Sequence, residues 1–226
     1  MTAKPPSLSI SDLRVTAADG RPLLSVSDLS VHPGERIAIR GPSGAGKSTF
    51  LYTITGLIAA SEGRVAWGDF DLARAKSAER TAFRGRHIGL VLQEHFLFDE
   101  LSALENASLA ACYAPRQGRA ALARRARESL ATLGIEDGGA QRLESFSGGE
   151  RQRVAVARAL ASDPAILIAD EPTASLDRAN ADRLIEDLFR QATERGSTLI
   201  AVSHDPALLE TAGRVLTIED GKLRDD

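Results

Sequence analysis

The chain has 226 residues, 43% of them hydrophobic and 26% charged, with a formal net charge of -3. That length suffices for a sizeable core in one large domain or two small ones, and the near-balanced charge excludes a general polyanion or nucleic-acid binder, so any phosphate recognition must be local. No stretch reaches the ~18 uninterrupted apolar residues of a membrane span, Met1-Thr2-Ala3-Lys4-Pro5-Pro6 lacks the apolar core of a secretory leader, and the single cysteine, Cys112, excludes an intramolecular disulfide, suits a reducing compartment and reads as a small packed residue.

Alternating segments over Leu8 to Val15 and Leu23 to Val31, punctuated by Asp19-Gly20 and Pro33-Gly34, predict antiparallel strands joined by turns. Arg36-Ile37-Ala38-Ile39-Arg40 predicts a strand running straight into a glycine-rich loop, with a helix from Lys47 to Ala60 behind it. Gly63 to Asp71, with Val65, Trp67 and Phe70 in alternation, reads as an exposed hairpin element, and Ile88 to Leu92 as a buried strand ending at Gln93. From Leu101 to Ala161 the pattern is helical, and Arg116, Arg119, Arg124, Arg125 and Arg127 fit the solvated face such helices need. Apolar runs over Ala165 to Ala169 and Thr198 to Val202 flank a further helix from about Arg178 to Glu194. Strands alternating with helices of that length predict an α/β fold with a mainly parallel sheet, and sites in such sheets lie beyond the carboxyl ends of the strands.

The segment Gly41-Pro42-Ser43-Gly44-Ala45-Gly46-Lys47-Ser48 fits a phosphate loop at every required position and stands between a predicted strand and a predicted helix. Its glycines let successive N–H groups curl around phosphate oxygens at a helix N-terminus, Lys47 adds a positive charge, and the Ser48 hydroxyl suits Mg²⁺. Ile166-Leu167-Ile168-Ala169-Asp170-Glu171 ends a buried strand on two adjacent acids. Alone the pair is compatible with an exposed strand end; beside a phosphate loop, Asp170 becomes a Mg²⁺ partner, directly or through water, and Glu171 the base that orients and deprotonates an attacking water. His204 and Gln93 each follow a strand, and each alone reads equally as structural. Ser147 caps a helix starting at about Gly149, which reads either as an ordinary capped helix or, with Gly148 and Gly149 permitting close approach, as a second phosphate grip.

Taken together, these segments resemble the nucleotide-binding subunit of an ABC transporter over nearly the whole chain. Gly41 to Ser48 matches the Walker A loop, Gln93 the Q-loop, Phe146 to Glu150 the signature, Ile166 to Glu171 Walker B, Ala174-Ser175-Leu176-Asp177 the D-loop, and His204 the switch histidine. The resemblance implies a P-loop NTPase core (about 41–60, 72–93 and 163–226), an antiparallel β part (about 7–40 and 61–71) and an inserted helical part (about 94–162). It implies that ATP is held by residues 41–49, Thr49 included, and by Ser147, Gly148, Gly149, Glu150 and Asp177. Mg²⁺ falls to Ser48, Gln93 and Asp170, and hydrolysis to Glu171, His204 and Gln93. Two such subunits are expected to dock head to tail around two ATP and to move a membrane-spanning permease, the chain lying on the cytoplasmic inner face of the membrane. Leu101 to Asn106 resembles the lipoprotein-release and macrolide-efflux subgroup. A soluble relative acting on DNA or ribosomes would be expected to carry a long coiled-coil insertion or tandem cassettes, and an ATP-sensing module to lack Glu171 and His204.

Two departures from the family pattern carry their own expectations. Glu150 stands where glutamine is usual and brings a carboxylate near a phosphate site, to be offset by Arg151 or Arg153. No Phe, Tyr or Trp precedes Phe50, so the aromatic that usually stacks on adenine is missing near Ala17, and weak discrimination between ATP and GTP is expected.

Overall fold

The computed structural model describes residues 5–135 and 141–225. The start of the N-terminal segment, Met1 to Lys4, and residues 136–140 of the expected helical stretch lie outside them. The first strands are β1 (Leu8–Thr16), β2 (Pro22–Val31) and β3 (Arg36–Arg40), followed by helix α1 (Lys47–Ile54). Next come β4 (Glu62–Trp67), β5 (Phe70–Asp71), α2 (Ser77–His87) and β6 (Ile88–Val91), then the helices α3 (Ala103–Ala107), α4 (Arg116–Thr132) and α5 (Gly148–Ala161). The chain returns to the sheet through β7 (Ile166–Asp170), α6 (Arg178–Arg195), β8 (Thr198–Val202), α7 (Pro206–Thr211), β9 (Arg214–Glu219) and β10 (Lys222–Asp225).

These strands form one sheet in the order β5-β4-β1-β2-β10-β9-β3-β8-β7-β6. One side is the antiparallel β5-β4-β1-β2 meander; the other is parallel, β9-β3-β8-β7-β6. The strand β3, grouped by sequence with the antiparallel part, instead pairs in parallel with β8 and β9. Its three central residues, Ile37, Ala38 and Ile39, are all fully buried, as a strand covered on both faces requires. Alternation divides the interior into two clusters. Leu167, Ala169, Leu199 and Ala201 face the core shared with α4, α5 and α6, while Ile166, Ile168, Ile200 and Val202 face the core shared with α1 and the antiparallel strands.

Four local features depart from the sequence reading. Helix α1 stops at Ile54 rather than Ala60 because Gly56, at φ +68°, ends it in a left-handed cap: its N–H donates to Thr53 O (3.0 Å) and the Leu57 N–H to Tyr52 O (2.8 Å). The hairpin at 63–71 is exposed only in part: Gly63, Arg64, Gly68 and Asp69 are exposed, while Val65, Ala66 and Trp67 are buried and Trp67 Nε1 donates to Ile54 O at 2.7 Å. Helix α2 buries only Phe83 of its residues, too sparse a stripe to show as hydrophobic periodicity. Cys112 is exposed rather than packed. No helix among the described residues is long and apolar enough to cross a membrane.

Candidate functional site

The carboxyl ends of β3, β7 and β8 deliver the glycine loop, the acidic pair and His204 to one cavity of about 740 Å³. Ser43, Gly44, Gly46, Lys47, Ser48 and Thr49 line it on one side, and Gln93, Asp170, Glu171 and His204 on the others. Gly41, Pro42 and Ala45 do not line it, and Pro42 and Ala45 line an adjoining cavity instead. The carbonyls of Gly41 and Pro42 accept hydrogen bonds from Lys47 Nζ at 2.7 and 3.0 Å, and Ala45 O accepts from Gly221 N–H at 3.1 Å.

Lys47 Nζ also lies 3.1 Å from His204 Nε2, and that same nitrogen lies 3.3 Å from Glu171 Oε1. An ammonium only donates and a carboxylate only accepts. In one tautomer His204 Nε2 accepts from Lys47, in the other it donates to Glu171, and it cannot do both at once. The His204 N–H points to the second Glu171 oxygen at 3.4 Å. Glu171 itself has φ +46°, a left-handed backbone for a non-glycine residue, fastened by its N–H to Val202 O at 2.9 Å. Strain of this kind persists only where the surroundings fix it, here adjoining strands β7 and β8.

Burial raises the Glu171 carboxyl above the usual glutamate range, against the opposing pull of His204 and Lys47. The pH profile of kcat/KM reports ionisations of the free enzyme. With Glu171 as the base expected from the sequence, a raised pKa means that it is lost early as pH falls, and the acid limb of the activity is expected above the ~4.3 of an ordinary glutamate. A limb at or below that value would contradict this environment for Glu171.

Burial likewise raises the Asp170 carboxyl, countered by hydrogen bonds from the Ser48 hydroxyl and the Tyr52 phenol and by the Lys47 charge. Asp170 is 2% exposed, and its Oδ1 has no hydrogen-bond partner. A buried carboxylate oxygen without a donor, beside a serine hydroxyl, is the donor set a hard divalent cation takes. The residues present therefore fit Mg²⁺ held by Ser48 and Asp170, with Gln93 exposed on the same cavity.

Tyr52 was not signalled by any motif; its place on α1 beside Asp170 emerges only when β7 and α1 are packed together. Arg178 and Asp205 were missed as well. They pair at 3.0 Å on the cavity wall, one residue beyond Asp177 and His204 respectively, and adjacency to those motifs was their one available signal.

Ser147, Gly148, Gly149, Glu150 and Asp177 do not line this cavity. Ser147 and Glu150 instead form a capping box at the start of α5: Ser147 Oγ accepts from Glu150 N–H (3.3 Å), while Ser147 N–H and Oγ–H donate to Glu150 Oε2 (2.8 and 2.7 Å). The Ser147 bonds hold the Glu150 carboxyl below its usual range, with a further contribution from Arg153. Arg151 is engaged elsewhere, at 2.7 Å from Asp99, so Arg153 is the offsetting cation. A Cβ on Gly149 would stand 3.6 Å from Leu176, and one on Gly148 would stand 3.9 Å from Ser175 O, so α5 starts against the 174–177 loop. Asp177 caps α6, accepting from Asn180 N–H at 3.0 Å.

The cap supplies a prediction. Ser147→Ala is expected to lower stability by about 1 kcal/mol, whereas Glu150→Gln, which can still close the box, changes it by less than about 0.5 kcal/mol in urea unfolding. Equal losses for both would show that the Glu150 charge, rather than its capping geometry, matters here.

Comparisons with known proteins follow the same outline. Residues 24–174 match the ABC transporter family. The chain is 41% identical to the lipoprotein-releasing system ATP-binding protein LolD of Chromohalobacter salexigens, over 90% of this chain and 86% of that protein. It is 42% identical to LolD of Ruegeria sp., over 96% and 97%. Among solved structures, the dimeric post-hydrolysis state of the ATP-binding cassette MJ0796 bound to ADP and Pi superposes with a TM-score of 0.86 at 31% identity, covering 97% of each chain.

Proposed function

This chain belongs to the ABC transporter family as an ATP-binding and ATP-hydrolysing subunit, and from that premise we propose that it works as half of a dimer that drives a membrane-spanning permease in lipoprotein release. It would then sit on the cytoplasmic face of the membrane, held there by the permease. One observation carries the dimer. The cavity gathers the glycine loop, both acids, Gln93 and His204, while the capped N-terminus of α5 lies outside it, against the 174–177 loop. Its free N–H groups are available to another copy's phosphates.

In this reading the triphosphate takes the place of the Gly41 and Pro42 carbonyls and of His204 as partner of Lys47. His204 Nε2 is thereby released to donate, and Glu171 accepts a proton from the attacking water, giving ADP and phosphate. Bound Mg²⁺, on Ser48 and Asp170, would neutralise charge on the phosphates. Lipoprotein release is supported by the two LolD relatives, which match over most of their own length. The test is the solution mass of Glu171→Gln with and without ATP: doubling on ATP supports the dimer, and an unchanged monomer overturns it.

A further inference from the structure

A separate cavity of about 610 Å³ opens at the amino ends of β6 and β7, where His87 and Ala165 immediately precede those strands. Asp170 ends β7, and Gln93 follows β6, on the other side of the sheet's length, so an occupant here does not meet a nucleotide in the main cavity. The volume is that of a small-molecule site.

Its lining includes a row of rings. Phe83 of α2 lies parallel to Phe70 of β5, with centroids 4.6 Å apart and 2° between the planes, and the His87 ring follows at 4.8 Å from Phe83. Trp67 joins them with its one polar atom already spent on Ile54 O. Burial, and then the neighbouring Arg86 charge, lowers the His87 pKa, so near pH 7 the imidazole is neutral and adds an aromatic face.

Two charges border these rings without partners. Arg86 on α2 and Asp69 on the turn between β4 and β5 are exposed and line the cavity, and among the described residues neither side chain makes a hydrogen bond or ion pair. They stand too far apart to neutralise each other. Glu79, also on the lining, is already committed, its Oε2 accepting from Lys76 N–H at 2.6 Å. An unpaired guanidinium offers a planar fork of donors to a carboxylate, an unpaired carboxylate accepts from an ammonium, and a row of rings favours a further ring.

From this combination we propose that the cavity binds an aromatic zwitterion of the class of a free aromatic amino acid, its ring against Phe70, Phe83 and His87, its carboxylate on Arg86 and its ammonium on Asp69.

Trp67 is the single tryptophan of the chain and stands in this site, so its fluorescence reports occupancy. The test is titration of the full chain with phenylalanine, followed by that emission and by calorimetry, beside 2-phenylethylamine, 3-phenylpropionate and leucine. Each analogue lacks one feature: the carboxylate, the ammonium or the ring. Phenylalanine is expected to bind most tightly, with loss of the ring costing about fivefold and loss of either charge about threefold. In Arg86→Gln its advantage over phenylethylamine should vanish, and in Asp69→Asn its advantage over phenylpropionate. Ala82→Phe, which sets a ring into the cavity from an exposed position on α2, should abolish binding, and saturating ADP should leave it unaltered. No saturable binding of phenylalanine to the parent chain would overturn the proposal, as would leucine binding equally well. Charge preferences that survive both substitutions would remove Arg86 and Asp69 from the site, and displacement by ADP would place the ligand in the main cavity instead; either result overturns the assignment.

Discussion

Glu171→Gln is expected to lower ATP turnover by about 10²- to 10⁴-fold, the usual contribution of a positioned general base, while ATP still binds. The amide keeps the size of the side chain and its acceptor oxygen toward the His204 N–H, now 3.4 Å away, but it cannot take a proton from water. The left-handed backbone at residue 171 and its bond to Val202 O belong to the main chain and persist in the variant. Turnover and binding therefore separate, and with hydrolysis blocked the ATP-bound dimer should accumulate. Single-turnover hydrolysis alongside equilibrium ATP binding checks this. A variant that hydrolyses at the parent rate would remove Glu171 from the role of base; one that no longer binds ATP would mean that the carboxylate is needed to build the cavity.

Gly41→Ala is expected to cost about 3 kcal/mol and to abolish ATP binding, the second large effect. Gly41 has φ +148°, and a Cβ built there would lie 2.0 Å from the main-chain oxygen of Ile218, well inside contact distance. Ile218 is fully buried on β9, which pairs with β3 up to Arg40–Thr217, so neither side can yield without parting the strands that carry the loop. The Gly41 carbonyl is also one of the two that hold Lys47. Gly44→Ala is the informative comparison. It has positive φ but nothing within 4 Å of the added carbon, leaving backbone strain of about 1 kcal/mol. Urea unfolding of the two variants should rank them in that order, and parity would contradict the close approach at Ile218.

Strand β3, the glycine loop and the start of α1 were legible in the sequence because the same short segment satisfies a strand pattern, a loop chemistry and a helix start at once. The acidic pair at the end of β7 was legible only in company: alone it reads as an exposed strand end, and the phosphate loop upstream gives the two buried carboxylates a use. Other features were written in interactions that one-dimensional pattern does not carry. The grouping of β3 with β8 and β9 is set by pairing across more than 160 residues of chain. The early end of α1 depends on a single glycine adopting φ +68° after a helical-looking run. Trp67 is consumed by a bond to Ile54 O, so its alternation with Val65 says nothing of exposure. Glu150, an anomaly by residue type, becomes intelligible once its carboxylate is seen closing the box with Ser147.

In the proposed function each hydrolytic site joins the glycine loop of one copy to the α5 N-terminus of another. Lys47→Ala disables the first half. Gly148→Asp disables the second by placing a carboxylate where phosphate would approach, and residue 148 has room for a Cβ, with its nearest neighbour at 3.9 Å. The decisive measurement is ATP hydrolysis by the two variants separately and mixed in equal amounts. A mixed dimer contains one doubly defective site and one intact site, so activity absent from either variant alone should appear on mixing. No gain in a mixture shown to form mixed dimers would contradict the shared site and return the whole reaction to a single chain.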